Sequence, residues 1–423
     1  MRSPRSTLAP VVLSVCTVGA LAISSCGLVS NDSAKPARTP ATDSKGSILP
    51  PELQPPPVEV EESDEEATTT TTRPPRSFSM AFSGDILLHN NVIQSGAANA
   101  KTKNADGTTA YDFNPMFDDV RETISAADVA ICHQETPISP VNKNLTVPRT
   151  LSFNAPREIA AALKGAGFDG CENASNHLMD RELKGLQDTI DVQEQNGLKV
   201  TGTARSQEQA ENPPIYEAKG VKIGHLAYTY TIYNNAGPNT QVPTEAPWLK
   251  NFLWPLLGAK GMSEQAAKMK ARGAEFVVMS IHWGDQYVHM PNAQQRQLAK
   301  DLLADPNIDL IVGDHVHVVQ PCEKIGDKYV TYGLGNFLSN QSPTQDSTLV
   351  SANQDGTIQS FDINEVAPGK FKVQKFTYTP TWVVIPGHKI TRATPDKFKD
   401  SYDRTVKNMN LIGPGVCDAV PAF

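Results

Sequence analysis

Short runs of β-branched and aromatic residues alternate with helix-period segments along most of the chain. The first run covers 78–83, and others follow at 128–132, 168–171, 199–202 and 221–228. Between them, Pro156 opens a helical pattern that runs to about Lys164 and ends at the breakers Gly165 and Gly167. A second pattern, from about 181 to 196, stops at Gly197, a residue suited to the left-handed turn that closes a helix. The clearest strand, helix, strand signal comes next. Ser263 caps a helix ending at Gly273, 275–281 reads as a buried strand, Asn292 caps a helix to about Ala304, and 308–312 is the next strand. Runs at 329–332, 357–363 and 371–378 continue as strands, with no internal repeat. This alternation predicts an α/β domain with crossover connections.

Ligand-type side chains recur just past the strand ends. Gly84 and Asp85 follow the first strand, His133 to Glu135 the second and Asn173 to His177 the third. His282 to Gly284 and Gly313 to His317 follow the later pair. Loops at the carboxyl ends of strands border the crevice where α/β sheets bind ligands. Singly, each residue has an ordinary reading as a turn former or an exposed histidine. Jointly, Asp85, Glu135, Asn176, His177, His282, His315 and His317 are expected to converge on one polar site. Carboxylates, imidazoles and an amide oxygen, without thiolate, suit one or two divalent ions such as Zn, Mn or Fe. No Walker-type loop and no Gly-x-Ser-x-Gly elbow is present.

The N-terminus changes the picture of where this domain works. Arg2 and Arg5 precede an apolar run from about 8 to 23, and small residues lead to Cys26, so 1–25 reads as a secretory signal. Ile23, Ser24, Ser25 and Cys26 resemble the bacterial lipobox, in which cleavage before the Cys leaves its thiol carrying a lipid. The expectation is an extracytoplasmic protein, lipid-anchored to the cell membrane; a plain signal peptide and a single membrane anchor are the alternatives. Residues 26–76 are rich in Pro, Thr and acidic side chains and read as a solvated stalk. The main domain is expected over 77–390, with 391–423 as a tail packed on it. The formal net charge of -8 provides no basic footprint, so nucleic acid is not an expected partner. Cys132, Cys171, Cys322 and Cys417 permit three pairings. Cys132 with Cys171 is expected, since each ends an apolar run and the two runs suit neighbouring strands; Cys322 with Cys417 would then tie down the tail.

Several segments, taken in order, resemble the CapA family of bacterial proteins associated with poly-gamma-glutamate capsule synthesis. They are Gly84-Asp85-Ile86-Leu87-Leu88-His89, Gln134-Glu135-Thr136-Pro137, Asn176-His177, His282-Trp283-Gly284, His315-Val316-His317 with Gln320-Pro321, and Tyr332-Gly333-Leu334-Gly335-Asn336-Phe337. The family's domain is similar to calcineurin-like metallophosphatases, so the resemblance implies a four-layer α/β/β/α sandwich. It also implies Asp85, Glu135, Asn176, His282, His315 and His317 as metal ligands, with His177 stabilising or protonating a leaving group. Leu87 stands where metallophosphatases place a His, and His89, the nearest imidazole, is a second catalytic candidate. Glu135 stands in place of Asp, and His133 where many relatives have Asn.

The function so implied is a surface lipoprotein of capsule or poly-gamma-glutamate synthesis, export or attachment. Its site would be a metal-dependent hydrolase, phosphoesterase-like or acting by gamma-glutamyl acyl transfer. The expected partners are an anionic envelope polymer, the membrane and a membrane synthase complex. The alternative is a non-catalytic subunit that binds the polymer or the synthase. Arg157, Arg181 and Lys184 are expected as helix-surface charges near the site loops, and Trp283 and Phe337 as packing residues.

Overall fold

Period-two alternation decides which way each strand faces, and in this protein it assigns the two faces of two sheets. The computed structural model describes residues 73–104, 107–234 and 239–423; the expected signal, Cys26 and most of the expected stalk lie outside the described residues. In chain order the first half contains β1 (Ser77–Ile86), α1 (Asn90–Ala100), α2 (Arg121–Ser125), β2 (Val129–Gln134), β3 (Ile138–Ser139), β4 (Ala155–Pro156), α3 (Glu158–Ala166) and β5 (Gly170–Glu172). It continues with α4 (Glu182–Gln195), β6 (Lys199–Thr201), α5 (Gln207–Glu211), β7 (Ile215–Ala218) and β8 (Val221–Thr229). The second half adds α6 (Trp254–Ala271), β9 (Phe276–His282), α7 (Ala293–Leu303), β10 (Leu310–Asp314), β11 (Cys322–Ile325), β12 (Lys328–Thr331) and β13 (Asn336–Leu338). It ends with β14 (Asp355–Ala367), β15 (Lys370–Val384), β16 (Lys389–Arg392), α8 (Lys399–Met409) and β17 (Val420–Pro421).

The larger sheet runs β16-β15-β14-β1-β2-β5-β6, with β13 also on β1 and β17 also on β15. The smaller runs β11-β12-β10-β9-β8-β7. The parallel strands β1, β2, β5 and β6 form one side of the larger sheet out to its edge, and β8, β9, β10 and β12 form the middle of the smaller. Phe78, Met80 and Phe82 of β1 share a buried cluster with Phe276 and Val278 of β9 and Leu310 and Val312 of β10, so the sheets pack face to face. The intervening residues point outward. Ala81, Ala130 and Cys132 meet Ile159 and Leu163 of α3, while Val277, Met279 and Ile311 meet Met262 of α6 and Ala299 of α7. Helices therefore cover the outer face of both sheets, giving the expected α/β class.

Asn292 caps α7 as the sequence predicts, accepting from the Gln295 N–H while the Gln295 side chain accepts from the Asn292 N–H. Several strands run further than read, so that Asp85, His133, His282 and Asp314 belong to β1, β2, β9 and β10, and two helix starts differ. The helix read as starting at Ser263 starts earlier: α6 is two helical segments broken at Gly258, whose φ of 58° and ψ of 178° are not helical, and Ser263 lies inside the second. Pro156 belongs to β4, and α3 begins at Glu158. Cys132 is bonded to Cys171, its in-register partner across β2 and β5, at a Cα separation of 4.4 Å. Cys322 is bonded to Cys417, and β17 adds to the edge of β15. Arg76 bridges Glu275 and Glu365, and Arg73 reaches Glu365 at 2.5 Å, so the chain just before β1 grips both sheets. No described helix is long and apolar enough to cross a membrane.

Two stability predictions follow from this packing. His225 of β8 lies fully buried between the sheets with Nε2 2.9 Å from Ser280 Oγ, and burial pushes its pKa down to about 3. An unfolded histidine titrates near 6.5, so below that pH the unfolded chain takes up a proton that the folded protein refuses, until pH falls through the folded value. Stability therefore falls on acidification, and His225→Leu should flatten a plot of unfolding free energy against pH between 6 and 4.5 by about 1.4 kcal/mol per unit. Equal slopes would contradict the assignment. Replacing both Cys322 and Cys417 by Ala, which opens a 95-residue separation, should lower stability by about 2–5 kcal/mol in denaturant unfolding.

Candidate metal centre

The alternation that fills the inter-sheet space with apolar side chains delivers ionisable ones at its carboxyl end. On β2, His133 follows Val129 and Ile131 onto that face; on β9, His282 follows Phe276 and Val278. On β10, Asp314 follows Leu310 and Val312, and on β5 Glu172 lies opposite the outward Cys171. Close backbone approach fixes the ends of β1 and β10. A Cβ on Gly84 would lie 1.9 Å from the Gly335 carbonyl oxygen, and one on Gly313 2.2 Å from that of Tyr332. The Asp85 N–H then donates to the Gly335 carbonyl at 2.9 Å.

All six expected ligands are buried, none more than 3% exposed. Asp85 Oδ2 accepts from His317 Nδ1 at 2.8 Å, and Oδ1 accepts from the His315 N–H at 3.3 Å. Asn336 Oδ1, 3.2 Å from the same His317 nitrogen, steadies that ring. Asn176 Oδ1 meets His282 Nε2 at 2.8 Å, and Glu135 Oε1 lies 3.9 Å from that nitrogen. Both Glu135 carboxylate oxygens, His282 Nδ1 and His315 Nδ1 are buried without a hydrogen-bond partner. Three sets of donor atoms, each within 4.8 Å of one another, result: Glu135, His282 and His315; Asp85, His133 and Glu135; and His133, Glu172 and Asp314. Glu135 is common to the first two.

The electrostatics separate these groups. Burial pushes Glu135 above the ordinary carboxylate range, holds His282 well below the usual imidazole value and brings His315 down to about 3. Both imidazoles are thus neutral, the form that ligates metal. Burial also pushes Asp85 up, but the hydrogen bond and charge of His317, with the charge of His133, outweigh it and leave Asp85 below its ordinary value. Buried polar groups are nearly always hydrogen-bonded, and an unpaired one costs about 1–3 kcal/mol. Unpartnered carboxylate and imidazole atoms converging in one place fit a divalent metal ion.

His177 stands beside this set. Its Nδ1–H donates to Asp180 Oδ2 at 2.8 Å and its backbone N–H to Ser175 Oγ at 3.1 Å, which fixes the ring and leaves Nε2 free. Phe153 separates it from His89, with ring centroids 4.7 Å from His177 and 5.2 Å from His89. His89 belongs to none of the donor sets; burial takes it to about 3, and its Nδ1 lies 3.4 Å from the Asn340 N–H. Trp283 and Phe337 are core residues. Arg157 and Arg181 donate to the Pro140 and Ser152 carbonyls, and Lys184 pairs with Asp188.

Sequence reasoning did not single out Glu172 and Asp314, which close β5 and β10, or Tyr230, whose ring is parallel to His282 and 4.8 Å from His315. For Asp314 the signal available was parity, since it shares the face of Leu310 and Val312, four and two positions earlier. His315 and His317 hold φ of 95° and 56°, the left-handed region that non-glycine residues rarely occupy, and such strain clusters at functional sites.

A sequence profile for the family described as bacterial capsule synthesis protein PGA_cap matches residues 79–341, more than half of the chain. The PGA biosynthesis protein CapA of Bacillus subtilis (strain 168) is 28% identical over 303 residues, covering 70% of this chain and 74% of that protein. The capsule biosynthesis protein CapA of Bacillus anthracis is 27% identical over 276 residues, 64% of this chain and 62% of that one, so the chain spans under two thirds of its length. Among solved structures, a phosphatase from Mycoplasma pneumoniae superposes with a TM-score of 0.41 at 15% identity, covering 78% of this chain and 99% of that one. A calcineurin-like phosphoesterase from Bacillus subtilis gives 0.39 at 15% identity, covering 79% and 99%. With the profile running through every residue of the centre from Asp85 to Asn336, the chain belongs to the bacterial capsule synthesis protein family PGA_cap.

Proposed function

We propose that this protein is a metal-dependent enzyme of capsule synthesis, cleaving or transferring an anionic envelope polymer such as poly-gamma-glutamate outside the cytoplasmic membrane. Cys26 carries the lipid that holds it there, and a membrane polymer synthase is its neighbour. The observation that carries the reading is Glu135: a carboxylate 1% exposed, neither oxygen hydrogen-bonded, shared by two donor sets. Left ionised and unpaired, such a group is among the most costly in a protein interior; beside a cation it is a ligand.

Glu135, His282, His315 and Asn176 would hold one ion and Asp85 and Glu135 a second, while His317, also expected as a ligand, lies in none of the donor sets and donates through Nδ1 to Asp85. A divalent ion held there supplies Lewis acidity toward a phosphoryl or acyl oxygen. The protein's own groups do the rest. His177, its Nδ1–H held by Asp180, presents Nε2 to donate a proton to the leaving group. Tyr230, against His282 and His315, and Tyr287, its ring 5.8 Å from that of His317, wall the approach and limit water.

The test uses the full chain in detergent. Stoichiometric divalent metal should co-purify or titrate in, with turnover of a phosphodiester or gamma-glutamyl chromogenic substrate that chelation abolishes. His282→Ala should weaken the ion held by Glu135, His282 and His315 and lose turnover with it. His177→Asn should keep its metal while kcat falls by about 10²–10⁴-fold. A folded protein that takes up no stoichiometric metal, or turns over equally after chelation, sinks the enzyme reading. Separately, Cys26→Ser should move the protein from the membrane fraction to the soluble one.

A further inference from the structure

His133 is placed as a ligand would be, although the family resemblance assigns it no role. It is 1% exposed, its ring centroid is 5.0 Å from that of His282, and it is in register with Asp85 across the parallel β1 and β2. Its two nitrogens see different surroundings. Nδ1 touches Glu172 Oε1, and the other oxygen of that carboxylate accepts the Ala174 N–H at 2.9 Å, so Glu172 is itself anchored. Nε2 faces Asp85 Oδ1 at 3.8 Å, and neither ring nitrogen makes a hydrogen bond of ordinary geometry.

That separation is too long for a hydrogen bond. It suits two atoms bound to one ion: metal bonds of about 2.0–2.2 Å put neighbouring ligand atoms roughly 3–4 Å apart. The Glu135 carboxylate completes the set, every donor atom within 4.8 Å of the others. A carboxylate behind the second nitrogen is the usual partner of a metal-ligating histidine, since it fixes tautomer and ring direction.

Resting on the metal-dependent reading above, we propose that His133 ligates, through Nε2, the divalent ion shared by Asp85 and Glu135, and that Glu172 positions it from behind. Each ion then has imidazole as well as carboxylate donors, and the Asp85 ion gains the nitrogen that Leu87 does not supply.

The experiment is a calorimetric titration of the full chain with Mn²⁺ and Zn²⁺, with near-ultraviolet circular dichroism to confirm native packing in each variant. The wild type should bind two equivalents. His133→Asn should retain the one held by Glu135, His282 and His315 and weaken the other by at least 100-fold, while Glu172→Gln should weaken that same equivalent about 10–100-fold. His282→Ala should show the reverse selectivity. If folded His133→Asn binds both equivalents like wild type, His133 is no ligand and the metal-dependent reading stands. If wild type binds no stoichiometric metal, both fall. Should His133→Asn fail to fold, Glu172→Gln decides: unchanged affinity for both ions overturns the proposal.

Discussion

The described structure is arranged around burying ionisable side chains at the carboxyl end of an apolar, two-sheet core. Taking a charge out of water costs several kcal/mol even after relaxation. The fold offsets part of that with short internal pairs, such as Asp85 with His317, and leaves part uncompensated in Glu135. Holding such groups together demands a rigid frame. The frame is the apolar inter-sheet cluster, the glycine contacts at Gly84 and Gly313, and the strained backbone of His315 and His317, worth about 1–3 kcal/mol each.

Much of this was legible from residue order, and what was not has physical causes. β9, α7 and β10 announce themselves through unbroken β-branched runs and a capping box. By contrast α1 carries only Val92 and Ile93 as large buried residues, and α8 buries Ser401, Thr405, Asn408 and Met409, so neither shows a strong apolar stripe. β13 has three residues and exists because β1 lies beside it. In the site, residues beyond strand ends were visible, because loops advertise polar side chains. Glu172 and Asp314 were passed over although they follow the runs at 168–171 and 308–312, because a single acid at a strand end reads first as a turn former. The pairing of Cys132 with Cys171 followed from strand adjacency, whereas the short distance between His133 and Glu172, one residue further on, needed coordinates.

Substrate electrostatics follow from the same frame. The chain is acidic overall, and Arg157, Arg181 and Lys184 near the site already serve backbone carbonyls or Asp188. For the anionic polymer proposed as substrate, these side chains offer little attraction. The positive potential that draws a carboxylate-rich or phosphate-rich chain inward would then come from the centre itself, so that affinity and reactivity share one origin.

The place of β1 in the larger sheet carries a consequence for how the chain acquires its structure. β1 is flanked by β2, close in sequence, and by β14, near the far end of the described chain. Until residues 355–367 have been synthesised, one side of β1 is an open strand edge, the kind of surface that invites wrong pairing. Pairings of such long range are slow to form. The donors on β1 and β2 likewise wait for His282, His315 and His317, so the centre completes late, and metal uptake would mark the end of folding rather than nucleate it.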